Sequence, residues 1–386
     1  MSLIVRVAAR GDGITADGRH AASAAPGDTL TDTGEVIPGP HHQPPPCRHF
    51  PECGGCQLQH LDDDSYAAFV ADRIATALAA QGIEADLRPT ALSPPRTRRR
   101  ATLHAEGGLI GFTEQASHRI VDMRECHVLH PALFVLVGPL RALVQRLRPK
   151  GRVELHLTLA DQGVDLLVKA TLPPGLAAAE AITAFAQAHA LARLSIDEGY
   201  GPEARWEPQP VTVTLGGTPV ALPSAAFLQA TAEGEAALVA AVREATAGAA
   251  TVADLFAGLG TFALALPAKV YAAEGARDAH LALKAASAQR PLFTEHRDLF
   301  RRPLTVAELD RFDAIVLDPP RAGAREQIAK IEAAKTPRLA YVSCNPSSFA
   351  RDAKALCEGG WRLDWVQPVG QFRWSTHVEL AARFSR

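Results

Sequence analysis

Five apolar runs recur through the last third of the chain, TVADLF, AKVYAAE, DAIVLD, RLAYVSC and WRLDWVQPV, with helical stretches between most of them. Short apolar runs bounded by polar segments read as buried strands, and this alternation predicts a parallel sheet wound with helices on both faces. Upstream the rhythm changes. From Leu87 to Gly201 the strand-like runs GGLIGFTE, HRIVDM and RVELHLTLA mix with apolar helical stretches such as FVLVGPLRALVQRL, an α+β pattern. PVTVTLGGTPVAL then leads into an alanine-rich helix around Glu233 to Ala247. Residues 62–81, DDDSYAAFVADRIATALAAQ, begin with acids and keep apolar residues at helical spacing, which predicts a helix. The first 46 residues hold one strand-like run, LIVRVAAR, and end in the stiff connector PGPHHQPPP. The chain thus divides into an N-terminal segment and linker (1–46), a cysteine motif (47–61), a helix (62–84), a central α+β domain (85–204) and a C-terminal α/β domain (205–386).

Composition adjusts this picture only slightly. At 386 residues, 47% hydrophobic and 21% charged, the chain is long enough for two or three domains. A formal net charge of -2 excludes a uniformly basic nucleic-acid binder but not local patches. One patch is RTRRR, Arg96 to Arg100, read either as a solvated face or as a contact surface. The start, MSLIVRVAARGDGITADG, lacks the apolar run of a signal peptide, and no apolar stretch is long enough to cross a bilayer. The expectation is a cytoplasmic protein with no membrane partner, where reduced thiols make clustered cysteines a sign of metal or catalysis.

Chemistry enters at four places. In VADLFAGLGTFALAL an apolar strand ends at Asp254–Phe256, and Gly258 and Gly260 bracket a tight turn into a predicted helix. Acids follow at successive strand ends: Asp254, Glu274 twenty residues later, Asp298 and Asp318. Several carboxylates would repel a pyrophosphate, whereas S-adenosylmethionine offers ribose hydroxyls, a cationic sulfonium and no phosphate. In RLAYVSCNPSSFARDAKAL, Cys344 closes a buried strand beside a helix N-terminus whose partial positive charge favours a thiolate. Position makes it a candidate nucleophile, while Cys357, within AKALCEGG, reads as core. Glu379 lies in the strand-like run HVELAARF, as a functional carboxylate or an ordinary strand residue. Finally, CRHFPECGGCQLQH brings together Cys47, Cys53 and Cys56 in a C-x5-C-x2-C pattern. Clustered thiolates of this kind suit an iron–sulfur cluster or a tetrahedral zinc.

Taken together, CRHFPECGGCQLQH, SHRIVDMRECHVLHP, FLQA, DLFAGLGTF, LDPPRAGA, YVSCNPSSFARD and HVEL closely resemble, in the same order, the motifs of uracil-C5 RNA methyltransferases. The resemblance is to the iron–sulfur-containing members that modify 23S ribosomal RNA, and it runs from Cys47 to the C-terminus. It implies a class I S-adenosylmethionine-dependent methyltransferase (Rossmann-like) domain, a central RNA-binding domain and an N-terminal OB-like (TRAM-like) segment. It further implies that Cys47, Cys53, Cys56 and Cys126 bind a [4Fe–4S] cluster. Gln229, Phe256, Thr261, Glu274, Asp298 and Asp318 would line the S-adenosylmethionine site, with Cys344 as nucleophile and Glu379 as base. RNA is the implied partner, 23S rRNA first and tRNA as the alternative. A non-catalytic iron–sulfur RNA-binding protein is a further alternative, and no stable protein partner is implied. Two departures stand out. Ala230 and Thr231 follow Gln229 where the family commonly has Val–Asn, and the N-terminal module is shortened before PPPC. The shortening shifts the expected RNA contacts toward the central domain, with RTRRR as a candidate phosphate contact.

Overall fold

A computed structural model describes all residues, 1–386. The largest sheet has eight strands, in the order Leu292–His296, Lys269–Glu274, Thr251–Leu255, Ala314–Leu317, Arg338–Ser343, Glu379–Ser385, Arg362–Gly370 and Ala91–Leu92. The first five are parallel, and Glu379–Ser385 runs antiparallel to both of its neighbours. Strand order reverses between Thr251–Leu255 and Ala314–Leu317, the place where an open α/β sheet leaves a crevice at its carboxyl ends. Both faces are covered. Tyr66, Phe349 and Phe384 belong to one buried cluster, and Leu238, Phe262 and Trp365 to another. This is the Rossmann-like architecture expected of residues 205–386.

The expected helices at 62–81 and 233–247 are Asp63–Ala79 and Ala232–Ala245, begun by the side chains of Asp62 and Thr231 as N-caps. The first packs on the helix Pro346–Glu358 and the strand Arg362–Gly370. Ala91–Leu92 then adds an edge strand to the large sheet, so the chain from Asp63 to about residue 93 belongs with that sheet rather than with the central domain. The central domain is a six-stranded sheet, ordered Glu203–Trp206, Arg193–Asp197, Gly163–Thr171, Lys150–Ala160, Arg100–Glu106 and Leu109–Gly111.

Two expectations change. The run after Gly258 and Gly260 forms no helix; residues 258–265 are successive turns that bury Phe262 and Leu264. Both glycines have positive φ, +56° and +94°, and a Cβ on Gly260 would lie 2.4 Å from Leu283, so the backbone is bent where a helix would begin. The N-terminal segment holds five short strands rather than one, in the order His20–Ala21, Gly13–Thr15, Ser2–Val7, Thr29–Leu30 and Val36–Ile37. Its two edge strands do not pair, so the sheet stays open. No helix of the protein is long and apolar enough to cross a membrane.

Candidate active site and cysteine centre

At the carboxyl end of the large sheet lies a cavity of about 1020 Å³, walled also by the cysteine loop at Gly54–Gly55 and by Arg98, Arg100 and Phe112 of the central domain. Cys344 enters it directly after the strand Arg338–Ser343. Glu379 is the first residue of the neighbouring strand, and Ser343 pairs with Leu380 across that ladder, so the thiol and the carboxylate stand at adjacent strand ends. The turn is fixed by Asn345. Its Oδ1 accepts from the Ser347 N–H at 3.1 Å, and its Nδ2 donates to the Arg321 carbonyl at 2.9 Å.

The electrostatics differ from those expected at a helix end. Burial, then the Glu379 and Asp318 carboxylates, push the Cys344 thiol up to about 11, and Arg321 only partly opposes them. The pull of one helix terminus is smaller than the desolvation of a thiolate beside two acids. Burial likewise pushes Glu379 up to about 7, opposed by a hydrogen bond from Gln371 and by Arg100 and Arg321. Asp318 is raised well above the usual carboxylate range by burial and by Glu379, Asp254 and Glu274. A cavity lined by acids that resist ionisation favours a cationic ligand, which relieves that repulsion.

Of the proposed cofactor residues, Gln229, Phe256, Thr261, Glu274 and Asp318 line the cavity. Glu274 braces the glycine turn, accepting from the Gly258 N–H at 2.7 Å and the Ala276 N–H at 2.5 Å. Phe256 holds a positive φ of +64°, an uncommon conformation for a bulky residue, with its ring 5.3 Å from Phe300. Asp298 does not line the cavity. It is exposed, and its Oδ1 accepts from the Phe300 N–H at 3.0 Å. Asp254 is fully buried with both carboxylate oxygens unpartnered, and burial pushes it up to about 7. It does not line the cavity.

RTRRR is not a solvated face. Arg99 donates to the Gln229 carbonyl at 3.0 Å and pairs with Glu235. Arg100 lies 4.4 Å over the Phe227 ring, and Arg98 lies 5.7 Å from Phe112 and 5.8 Å from Phe372. Only Arg96 of the run is exposed, while Arg98 and Arg100 are half-buried in the wall of the cavity. Sequence reasoning also left out Arg321, which lines the cavity and contacts His377 at 3.1 Å, and Gln371 behind the wall. The position of Arg321, directly after a strand-end Asp–Pro–Pro, was the signal available for it.

Cys47, Cys53, Cys56 and Cys126 surround a second, small cavity of about 20 Å³. None forms a disulfide. Burial raises all four thiols, Cys47 to about 11 and Cys56 to about 12, and repulsion from neighbouring thiols adds to the rise at Cys47, Cys53 and Cys56. No three His, Cys, Asp or Glu side chains converge on a single ion position. Trp374, with φ +58°, packs against Cys56 and Cys126, and its indole Nε1 is buried without a partner. Its carbonyl accepts from the Gln57 and Leu58 N–H groups at 2.8 and 2.9 Å, which joins the cysteine loop to the segment just before Glu379.

Residues 285–386 match the family model described as tRNA (uracil-5-)-methyltransferase. An uncharacterised RNA methyltransferase of Zymomonas mobilis is 52% identical, over 100% of both chains. One of Caulobacter vibrioides is 38% identical over 98% of each. Among solved structures, the Pyrococcus abyssi tRNA (uracil-54, C5)-methyltransferase in complex with S-adenosyl-L-homocysteine shares the fold, with a TM-score of 0.76 at 22% identity and 100% coverage of both chains.

Proposed function

The chain belongs to the RNA methyltransferase family of these relatives and carries a tRNA (uracil-5-)-methyltransferase domain over residues 285–386; on that premise we propose that it transfers a methyl group from S-adenosylmethionine to carbon 5 of a uridine in 23S rRNA. The observation that carries this reading is the juxtaposition of Cys344 and Glu379 in a cavity that also reaches the glycine turn and Glu274. S-adenosylmethionine supplies an electrophilic methyl group. Carbon 5 of uracil is a poor nucleophile until Cys344 adds, as its thiolate, to carbon 6 and creates an enolate. Carbon 5 then takes the methyl group. Glu379 removes the carbon-5 proton, and the electron pair released expels the Cys344 thiolate and restores the ring double bond. The target base must leave its stack to enter such a cavity, which favours a loop or a flipped nucleotide.

Four sulfur donors from two chain segments, one buried and three half-buried, unpaired by disulfides and gathered around one small cavity, fit a [4Fe–4S] cluster held by Cys47, Cys53, Cys56 and Cys126. Such a cluster ties the N-terminal region to the central domain, and no step of the reaction runs through it. Cys53→Ser is expected to impair folding or RNA binding, with loss of iron and of the visible absorption band. Protein that still folds should bind S-adenosylhomocysteine normally in calorimetry; a selective loss of that affinity contradicts a structural role.

The resemblance of the cysteine motif supports ribosomal RNA, while the description of the matching family model favours tRNA as the second reading. Methylation of purified 23S rRNA and tRNA in vitro, with 5-methyluridine mapped in each, separates them. The expected product lies in 23S rRNA, and modification confined to tRNA overturns that assignment.

A further inference from the structure

Gln371 follows the strand Arg362–Gly370 and lies behind the cavity wall, 1% exposed. Its Oε1 accepts from the Ala230 N–H at 2.9 Å, and its Nε2 donates to Gln229 Oε1 at 2.8 Å and, with its second hydrogen, to the Glu379 carboxylate. The orientation is not arbitrary. A backbone N–H only donates, so the atom of Gln371 facing Ala230 is oxygen, and the atom facing Gln229 is nitrogen. Gln229 must therefore meet Gln371 with its own oxygen, which turns its NH2 group the other way. Gln229 is 3% exposed and lines the cavity, and its Nε2 has no partner in the protein although it is not enclosed among the buried orphan atoms. The backbone is held as firmly. Arg99 donates from Nε to the Gln229 carbonyl at 3.0 Å and from its main-chain N–H to the Ala230 carbonyl at 2.9 Å.

We propose that Gln371 is a positioning residue that locks the Gln229 amide with its NH2 toward the cavity, to donate to the carboxylate of bound S-adenosylmethionine. The inference rests on the reading that Gln229 belongs to the cofactor site. The sulfonium and amino groups of the cofactor are cations and suit the acids Glu274, Asp318 and Glu379. Its carboxylate is the one anionic group and needs a donor in an acid-lined cavity. An amide free to rotate would offer its oxygen as readily as its nitrogen; one pinned by a backbone N–H two hydrogen bonds away does not. The helix Ala232–Ala245 makes room for the lock, since a Cβ on Gly234 would lie 2.5 Å from the Gln371 Cβ.

Gln371→Glu reverses the polarity. Its carboxyl group shares a proton with Glu379, which it now faces, and its oxygens accept from both the Ala230 N–H and the Gln229 NH2, so the Gln229 oxygen turns to the cavity. The readout is the dissociation constant, by calorimetry on the full-length protein, for S-adenosylhomocysteine and for its decarboxylated analogue. Wild-type protein is expected to bind the carboxylated ligand roughly tenfold tighter or more, the usual worth of a hydrogen bond to a charged group. In Gln371→Glu that ratio should fall to near one, with affinity for the decarboxylated analogue within about twofold of wild type. Gln371→Met, which removes the lock without reversing it, should give an intermediate ratio and covers the case in which the charged variant misfolds. An unchanged ratio in the folded variants overturns the proposal, and so does an equal loss for both ligands, which is what mere packing would give. Wild-type protein that binds neither ligand overturns the cofactor reading itself, a result distinct from an unchanged ratio.

Discussion

Replacing Cys344 by alanine should abolish the covalent complex with 5-fluorouridine RNA and lower methyl transfer by at least about 10^4-fold, as expected when the only nucleophile is removed. Fluorine at carbon 5 cannot leave as a proton does, so a wild-type enzyme that has added its thiolate and transferred the methyl group stalls as a stable adduct. The complex is read as a slowed band on a denaturing gel. The other thiols offer no substitute, because the four clustered cysteines line a separate small cavity and Cys357 lies in the helix Pro346–Glu358. A covalent complex that persists in Cys344→Ala would sink the mechanism. The thiol's upward shift, to about 11, adds a condition. Addition should be faster at alkaline pH, since burial and two neighbouring acids keep the thiol protonated near neutrality.

Glu379→Gln should have the opposite signature. Adduct formation and methyl transfer proceed, but release slows by roughly 10²- to 10⁴-fold, the usual contribution of a positioned base. The methylated adduct should therefore accumulate on natural RNA without fluorine; normal release of free product would remove Glu379 from the role. The pH dependence has a definite sign. A base acts in its ionised form, and burial pushes Glu379 up to about 7. Wild-type release should therefore fall as pH drops through about 7 and level off above it. Single-turnover release in Glu379→Gln should lose that limb.

Much of the catalytic half was legible because buried parallel strands are continuous apolar runs. Thr251–Leu255, Ala314–Leu317 and Arg338–Ser343 each fall within a run marked by composition alone. Cys47, Cys53 and Cys56 were legible as a group because thiol spacing survives in sequence whatever the fold does, whereas Cys126 was added only by the family resemblance. What escaped has physical causes. Strands of two or three residues, as in the N-terminal sheet, are too short to show a period. RTRRR looked like surface because charge normally is. Here aromatic rings, Glu235 and main-chain carbonyls receive the guanidinium groups inside, and no local pattern announces partners 130 and 136 positions away. The same holds for Gln371 and Gln229, whose hydrogen bond joins residues 142 positions apart. The Cys344 environment was misjudged for a related reason: a helix end is visible in sequence, but the burial that outweighs it, and the two acids that add to it, come from other strands.

The early helix Asp63–Ala79 and the edge strand Ala91–Leu92 have a consequence for how the chain is made. Tyr66 donates from its hydroxyl to the Phe372 carbonyl at 2.9 Å, a partner 306 positions later. During synthesis this helix leaves the ribosome long before the helix and strand that cover its apolar face exist. The central sheet, self-contained and local, is free to form in the interval. The catalytic sheet must wait for its last strand, Glu379–Ser385, which sits between two others and carries the proposed base at its first position. Ribosome-bound chains short of those last residues therefore hold an open sheet and an uncovered helix, the kind of surface that chaperones recognise. The active site is completed only when Glu379–Ser385 joins the sheet.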